Sequence, residues 1–138
     1  MIKVAQRRTR PWQDRVQWVC AEALAWEPER TYDAIVTCFF LDCFPAPTLA
    51  KVIDHLCRAV APDAVWLVTD FSVPDAGWSR RRAQAVHALM YAFFRLAVGL
   101  PAHRLTPPDA FLSAAGFKLT DRQEFEWGLI RADLWRRR

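Results

Sequence analysis

Glycine is scarce in this chain. Of 138 residues four are glycine, Gly77, Gly99, Gly116 and Gly128, and no two of them stand in a GxG. A glycine lets the backbone close on a ligand with its amides pointing at it, because no Cβ intervenes. No such cradle is written here. Cys20, Cys38, Cys43 and Cys57 form no CxxC pair and follow no signal peptide. They are expected to be reduced, buried, intracellular thiols in a cytoplasmic protein. No metal is expected either, since Cys38 and Cys43 straddle a strand end without a second ligand pair at a suitable spacing. A long apolar run is also missing. The nearest to one, Ala83 to Leu100, contains Gln84, His87 and Arg95, whereas a membrane span needs about 20 mostly apolar residues and a central arginine is costly there. No transmembrane span is expected. Neither an internal repeat nor a low-complexity linker appears, so residues 1–138 read as a single domain.

What is present is the composition of an ordinary soluble globular domain, 53% hydrophobic and 25% charged, large enough for a proper core. The formal charge of +4 comes from arginines, with clusters at Arg80 to Arg82 and Arg136 to Arg138. These clusters are not interleaved with exposed-looking aromatics, and the acids are spread along the rest of the chain. They read as a solvated helix start and a frayed tail, and nucleic acid is not an expected partner.

Hydrophobic periodicity supplies the architecture. Ile2 to Arg8 reads as a helix that begins without a capping residue, and Pro11 ends the segment. Val16 to Cys20, VQWVC, alternates like a strand. Ala34 to Phe39, within YDAIVTCFF, is an unbroken apolar run that implies a strand buried on both faces. Leu49, Val52, Ile53, Leu56 and Val60 recur at the helical period, so Thr48 to Ala61 is an amphipathic helix that Pro62 closes. Val65 to Thr69 is the next strand. Val86, Leu89, Met90, Phe93, Phe94 and Ala97 form the apolar stripe of a long helix laid over a sheet or pocket, with His87, Tyr91 and Arg95 on a solvated polar face. Gly99 to Leu105 is a connector. Thr106-Pro107-Pro108-Asp109 opens a short helix that Gly116 ends, and Phe117 to Phe125 and Gly128 to Trp135 make an antiparallel closing pair. Strand, helix, strand with Asp42 and Asp70 after the two strands is the layout of an open α/β sheet, which takes its ligands outside the carboxyl ends of its strands.

The order VQWVCAEAL, YDAIVTCFFLDCF, amphipathic helix, AVWLVTDF, then FLSAAGFKL and a final hairpin resembles the second half of a class I S-adenosylmethionine-dependent methyltransferase. The resemblance covers nearly the whole chain. Phe111, Leu112, Ala115, Gly116 and Phe117 before the terminal strands and the YDAIV opening of the middle strand are typical, but neither is a catalytic signature. It implies a Rossmann-like, mostly parallel sheet with helices on both faces and a C-terminal antiparallel hairpin. It implies S-adenosylmethionine as cofactor and a small-molecule acceptor. Adenine contacts would fall to Glu22 and Ala23, and the methionine side of the cofactor to Cys38, Phe39 and Phe40. The acceptor would meet Asp70, with Phe71, Trp78 and Tyr91.

The chain departs from the family at its start. The family's glycine-rich loop after the first strand and the acid ending the second have no counterpart, so the expectation is a domain lacking its first two strands and impaired in cofactor binding. In the family order 3-2-1-4-5-7-6 those strands are the centre of the sheet. Without them Val16 to Cys20 is orphaned from Ala34 to Phe39, and an unpaired edge is costly. The expected repair is that 16 to 20 slides over to pair with 34 to 39. A homodimer or partner chain covering the edge is the alternative, and with it a non-catalytic remnant in place of an enzyme.

Each site residue carries a plainer reading as well. Glu22 is suited to a helix start, where an acid meets the positive dipole end. Asp42 and Asp70 are the candidate catalytic groups, yet both are also suited to capping the next segment. His55 and His103 have no acid or nucleophile at a telling spacing. The sulfonium is already a good methyl donor, so the protein need supply only proximity, in-line geometry and in some cases a base. No triad is expected.

Overall fold

A computed structural model describes residues 2–74, 76–98 and 105–137. Helix α1 spans Ile2–Arg8 and runs into a 3₁₀ segment at Arg10–Arg15. Strand β1 is Tyr32–Cys38, helix α2 Ala46–Cys57 and strand β2 Val60–Phe71. Helix α3 is Gly77–Val98, helix α4 Asp109–Ala114, and strands β3 and β4 are Phe117–Phe125 and Ile130–Arg137. The connector read over Gly99 to Leu105 lies, Leu105 apart, outside the described residues. So do His103, Arg138 and the side chain of Arg95.

The four strands form one sheet in the order β1-β2-β4-β3. β1 and β2 are parallel, with Ala34 opposite Val65 and Cys38 opposite Thr69. This pair, with α2 as its crossover, is the unit that sets two strand carboxyl ends side by side. The β2–β4 and β3–β4 pairings are antiparallel, so the sheet is mixed and mostly antiparallel, where a mostly parallel one was expected. The closing hairpin follows the expected strands closely. Its turn is tight, with Glu126, Trp127 and Gly128 all at positive φ.

The core lies on one face of this sheet. Trp66 and Val68 of β2 and Trp135 of β4 point to the side where Leu49, Val52 and Ile53 of α2 and Leu112 of α4 cover them, all at most 2% exposed. Trp66 donates its indole N–H to the Thr37 hydroxyl at 3.1 Å and meets Phe117 edge-on at 5.5 Å. The opposite face is largely open, with Val36 63% and Leu67 43% exposed. Helices on both faces and burial of β1 on both faces were expected; the apolar run gives no information about whether a second layer is present to cover it. A charge on the open face therefore costs little: Leu67→Glu changes the urea-unfolding free energy by less than about 0.5 kcal/mol.

Val16 to Cys20 is not a strand. It starts extended at Val16 but pairs with no strand among the described residues, with Trp18 38% and Val19 51% exposed, and β1 stands at the sheet edge. Alternation alone does not make a strand when no neighbour offers hydrogen bonds at the right register. The expected sliding of this segment onto β1 does not occur. Cys20 and Cys38 are exposed rather than buried, Cys38 because it points to the open face. Pro62 does not close α2 but sits within β2, since the helix has already ended at Cys57.

Helix α3 is turned over relative to the expected face. Leu89, Phe93 and Phe94 of the apolar stripe are 74%, 61% and 40% exposed, while His87 and Tyr91 are each 5% exposed. The tyrosine hydroxyl is carried inward to the Asp42 carbonyl and the imidazole to the Phe71 ring, which periodicity of hydrophobic residues cannot register. Among the described residues no helix is long and apolar enough to cross a membrane.

Candidate functional site

The chain leaves β1 through a sharp bend. Phe39 takes φ +49°, a left-handed conformation that is uncommon for a bulky residue and tends to persist where function holds it. Two contacts to β2 fix the bend: the Phe39 amide donates to the Thr69 carbonyl at 2.7 Å, and the Phe40 amide donates to Asp70 Oδ1 at 3.0 Å. A 3₁₀ turn at Leu41–Cys43 follows, burying Leu41 and Asp42. Thus Phe39, Phe40 and Asp42 from the end of β1 meet Asp70 and Phe71 from the end of β2.

Helix α3 closes over this corner. Tyr91 donates its hydroxyl proton to the Asp42 carbonyl at 3.2 Å. The rings form a chain, Phe39 to Phe71 at 4.9 Å, Phe71 to His87 at 5.5 Å and His87 to Tyr91 at 6.5 Å. Tyr91→Phe removes a hydroxyl that ties α3 to the β1 turn, and is expected to cost about 1 kcal/mol in chemical unfolding.

Electrostatically the corner is unusual. Asp70 is 1% exposed and its Oδ2 has no hydrogen-bond partner among the described residues. Burial, reinforced by the charge of Asp42, pushes its pKa up to about 7. Burial also raises the Asp42 carboxyl, against hydrogen bonds that lower it, including one from the Cys43 thiol at 3.5 Å. The Cys43 thiol is pushed up to about 12 by burial and then by Asp42, which leaves it protonated and a poor nucleophile. Tyr91 is raised for the same two reasons. His87 is lowered by burial and neither ring nitrogen has a partner. A strongly perturbed acid with a vacant oxygen at a strand end is the kind of group that marks active sites.

Next to this corner stands a buried ion cluster. Arg131 faces Asp70 across the β2–β4 ladder, but its guanidinium is drawn to Asp109 and Asp133. Arg122 binds Asp133 through two bonds, 2.7 and 2.8 Å, and reaches Asp109 at 2.5 Å. A cavity of about 380 Å³ opens here, with Phe71, Ser72, Leu105, Asp109 and Arg131 on its walls.

Of the site residues read from sequence, the fold brings together Phe39, Phe40, Asp42, Asp70, Phe71 and Tyr91. Cys38 is the last residue of β1 but is directed to the open face. Trp78 is 79% exposed and lines a separate cleft of about 480 Å³ with Ser79, Arg82 and Trp127, where Arg82 lies over the Trp127 ring at 4.5 Å. Glu22 and Ala23 are not brought to the corner. They belong to a turn closed by amides of Ala25 and Trp26 on the Glu22 carbonyl. That turn is anchored at the other end of the sheet, where His55 meets the Trp26 carbonyl at 2.6 Å and Trp26 lies 6.1 Å from Tyr32. His87 was missed as a site residue; its four-residue spacing from Tyr91 was the available signal. Among the described residues no three His, Cys, Asp or Glu side chains gather as a metal site.

No family model matches the sequence, and no curated protein matches it. Solved structures do match. An O-methyltransferase family 2 protein from Planctomyces limnophilus DSM 3776, in complex with apigenin, superposes with TM-score 0.70 at 14% identity, covering 99% of this chain and 40% of that one. A 1,6-didemethyltoxoflavin-N1-methyltransferase from Burkholderia thailandensis, holding its substrate and S-adenosylhomocysteine, gives 0.65 at 16% identity over 96% of this chain and 56% of that one. The N-methyltransferase NodS from Bradyrhizobium japonicum WM9, also with S-adenosylhomocysteine, gives 0.64 at 17% identity over 99% and 61%. The chain therefore spans between two fifths and three fifths of the length of these structures, and it shares their fold.

Proposed function

We propose that this chain, one domain over residues 1–138, carries the methyl-transfer corner of an S-adenosylmethionine-dependent methyltransferase acting on a small molecule. The observation that supports this best is the convergence of the Phe39–Asp42 bend, Asp70 and Tyr91 at the carboxyl ends of the parallel pair, in a fold shared with methyltransferases. When bound, the cofactor supplies an activated methyl group on a sulfonium. The residues present fit such a group: a cationic sulfur is stabilised by acids and by aromatic faces, and the corner offers Asp42, Asp70, Phe39 and Phe71.

Phe39 and Phe40, with Cys38 behind them, hold the methionine side. Asp70 and Phe71 face the acceptor, and Tyr91 pins α3 as the lid of the site. Asp70 is the first choice for a base, since its pKa of about 7 lets it hold or release a proton near neutrality. Trp78 stands apart and is at most a rim contact. The glycines that would cradle the carboxypropyl end do not occur in this sequence, so the chain by itself binds the cofactor weakly. Its exposed thiols suit a reducing cytoplasm.

A second reading has its own observation. The unpaired β1 edge and the open face around Val36 and Leu67 suit a subunit that docks against a partner or a second copy. Calorimetric titration of S-adenosylhomocysteine into the purified chain separates the two. Saturable heat, at weak affinity, is the expected result; no heat together with clear dimerisation in sedimentation supports the docking subunit instead.

A further inference from the structure

The methyltransferase reading leaves the acceptor undefined, and the charge balance of the corner narrows it. Two carboxylates, Asp42 and Asp70, are buried there at 5% and 1% exposure. Asp42 is engaged by the Cys43 thiol and by its place in the 3₁₀ turn. Asp70 spends only Oδ1, on the Phe40 amide, and leaves Oδ2 buried without a partner. An independent observation comes from α3. His87, 5% exposed, packs edge-on to Phe71, the neighbour of Asp70, with both ring nitrogens unpartnered. The one arginine facing Asp70 across the ladder is committed to Asp109 and Asp133. Among the described residues, Asp70 Oδ2 thus has no donor directed at it, and the arginine across the ladder is held by other acids.

A sulfonium brings one positive charge to two acids. Above neutrality, where Asp70 has released its proton, a phenolate or carboxylate acceptor would add a third negative charge to a buried site, and a neutral alcohol would leave one uncompensated. A protonated amine balances it. We propose that the acceptor is a basic amine attached to an apolar or aromatic body, which enters as an ammonium, donates to Asp70 Oδ2 and rests its body against Phe39 and Phe71. The inference rests on the methyltransferase reading and adds the acceptor class to it. The proton an ammonium must lose before its nitrogen can attack has a destination in the same contact: the N–H bond breaks, the O–H bond forms on Asp70 Oδ2, and the electron pair stays on nitrogen. Asp70 is then both the specificity group and the proton acceptor.

The test needs no catalysis. Three isosteric probes, 1-naphthylmethylamine, 1-naphthylmethanol and 1-naphthoate, are titrated into the full chain at pH 8 and low salt by ligand-observed NMR, with S-adenosylhomocysteine titrated in parallel. The amine is expected to bind about tenfold more tightly than the alcohol, because it brings a full positive charge to the carboxylate where the alcohol brings only a neutral hydroxyl, and the naphthoate more weakly than either. Asp70→Asn, which keeps the acceptor for the Phe40 amide, is expected to weaken the amine far more than the alcohol and to bring the two to about equal affinity. Equal binding of amine and alcohol, tighter binding of naphthoate, or an amine affinity untouched by Asp70→Asn overturns the proposal, and the first two need no variant. If S-adenosylhomocysteine binds while the probes show no amine preference, the acceptor assignment falls and the methyltransferase reading stands. If the amine preference is present and S-adenosylhomocysteine does not bind, that reading falls and takes the acceptor assignment with it.

Discussion

Asp70→Asn makes the protein less sensitive to alkali. At pH 8 the native protein holds an ionised carboxylate in a site 1% exposed, whereas an unfolded chain ionises it freely in water. The pKa is about 7 in the fold against an ordinary 3.8. Because the folded value lies above the unfolded one, the native state binds the proton more tightly. The contribution of Asp70 is then fully present below about pH 4 and is lost as pH rises through 7. A shift of about three units corresponds to on the order of 4 kcal/mol between those limits. Asparagine cannot ionise, so the difference between the native and variant urea-unfolding free energies should change by that amount from pH 4 to pH 8. Asparagine also buries an amide without a partner, which costs about 1–3 kcal/mol at every pH. The variant is thus expected to be less stable than the native protein at pH 4 and more stable, by about 2 kcal/mol, at pH 8. A difference that is flat with pH contradicts a buried, proton-hungry Asp70. A site that costs stability to maintain is what a functional acid looks like, and a structural cap does not pay such a penalty.

Asp133→Ala should be among the most damaging single changes in the chain. Asp133 has no exposed side-chain surface and receives Arg122 at 2.7 and 2.8 Å and Arg131 at 3.3 Å. Removing one partner of a buried ion cluster leaves the others uncompensated, at about 3–5 kcal/mol. Here two arginines are affected and only Asp109 remains for both; hydrogen bonds from Arg122 and Arg131, working against burial, already hold its carboxyl low. Arg122→Ala should cost less, since Arg122 is 32% exposed and water can replace it. A loss below about 1 kcal/mol for Asp133→Ala in urea unfolding would show that the cluster is decorative. The cluster also bears on the site, because Arg131 faces Asp70 across the sheet. With Asp133 gone, Arg131 stays on Asp109, but one of the negative charges that raise Asp70 is removed, so the pH dependence described above should shrink in that background.

The β1–α2–β2 unit was legible because each element states its own period. The apolar run of Ile35 to Cys38, the helical recurrence of Leu49, Val52 and Ile53, and the run ending at Asp70 need no knowledge of their neighbours. The terminal hairpin was legible for the same reason, bounded by Gly116 and Gly128. The failures share a different cause. Val16 to Cys20 alternates like a strand, but β1 does not accept it, and a strand is a property of two segments. The open face behind Val36 and Leu67 depends on which layers are present, which an apolar run does not report. Helix α3 was turned over because six hydrophobic residues outvote His87 and Tyr91 in any periodicity, while the Asp42 carbonyl that receives Tyr91 lies 49 residues away in sequence.

Within the site, Asp42 and Asp70 were legible from position alone, one just past the carboxyl end of β1 and the other at that of β2. Their coupling was not, since it comes from the bend at Phe39 and the burial under α3. Glu22 was placed by resemblance at an adenine contact, and the fold anchors its turn at the far end of the sheet by Trp26 and His55. The adenine reading assumed a strand before Glu22, and an acid after a strand points to a ligand only if that strand is in the sheet.

The central claim is that the carboxyl ends of β1 and β2 receive the cofactor's sulfonium. Ultraviolet crosslinking of methyl-labelled S-adenosylmethionine to the purified chain, followed by peptide mapping, tests it directly. The expected result is label confined to the peptide around Phe39 and Phe40 or that around Asp70 and Phe71, and lost on adding excess S-adenosylhomocysteine. Label that survives the competitor, or that maps to the Trp78–Arg82 cleft instead, contradicts the account.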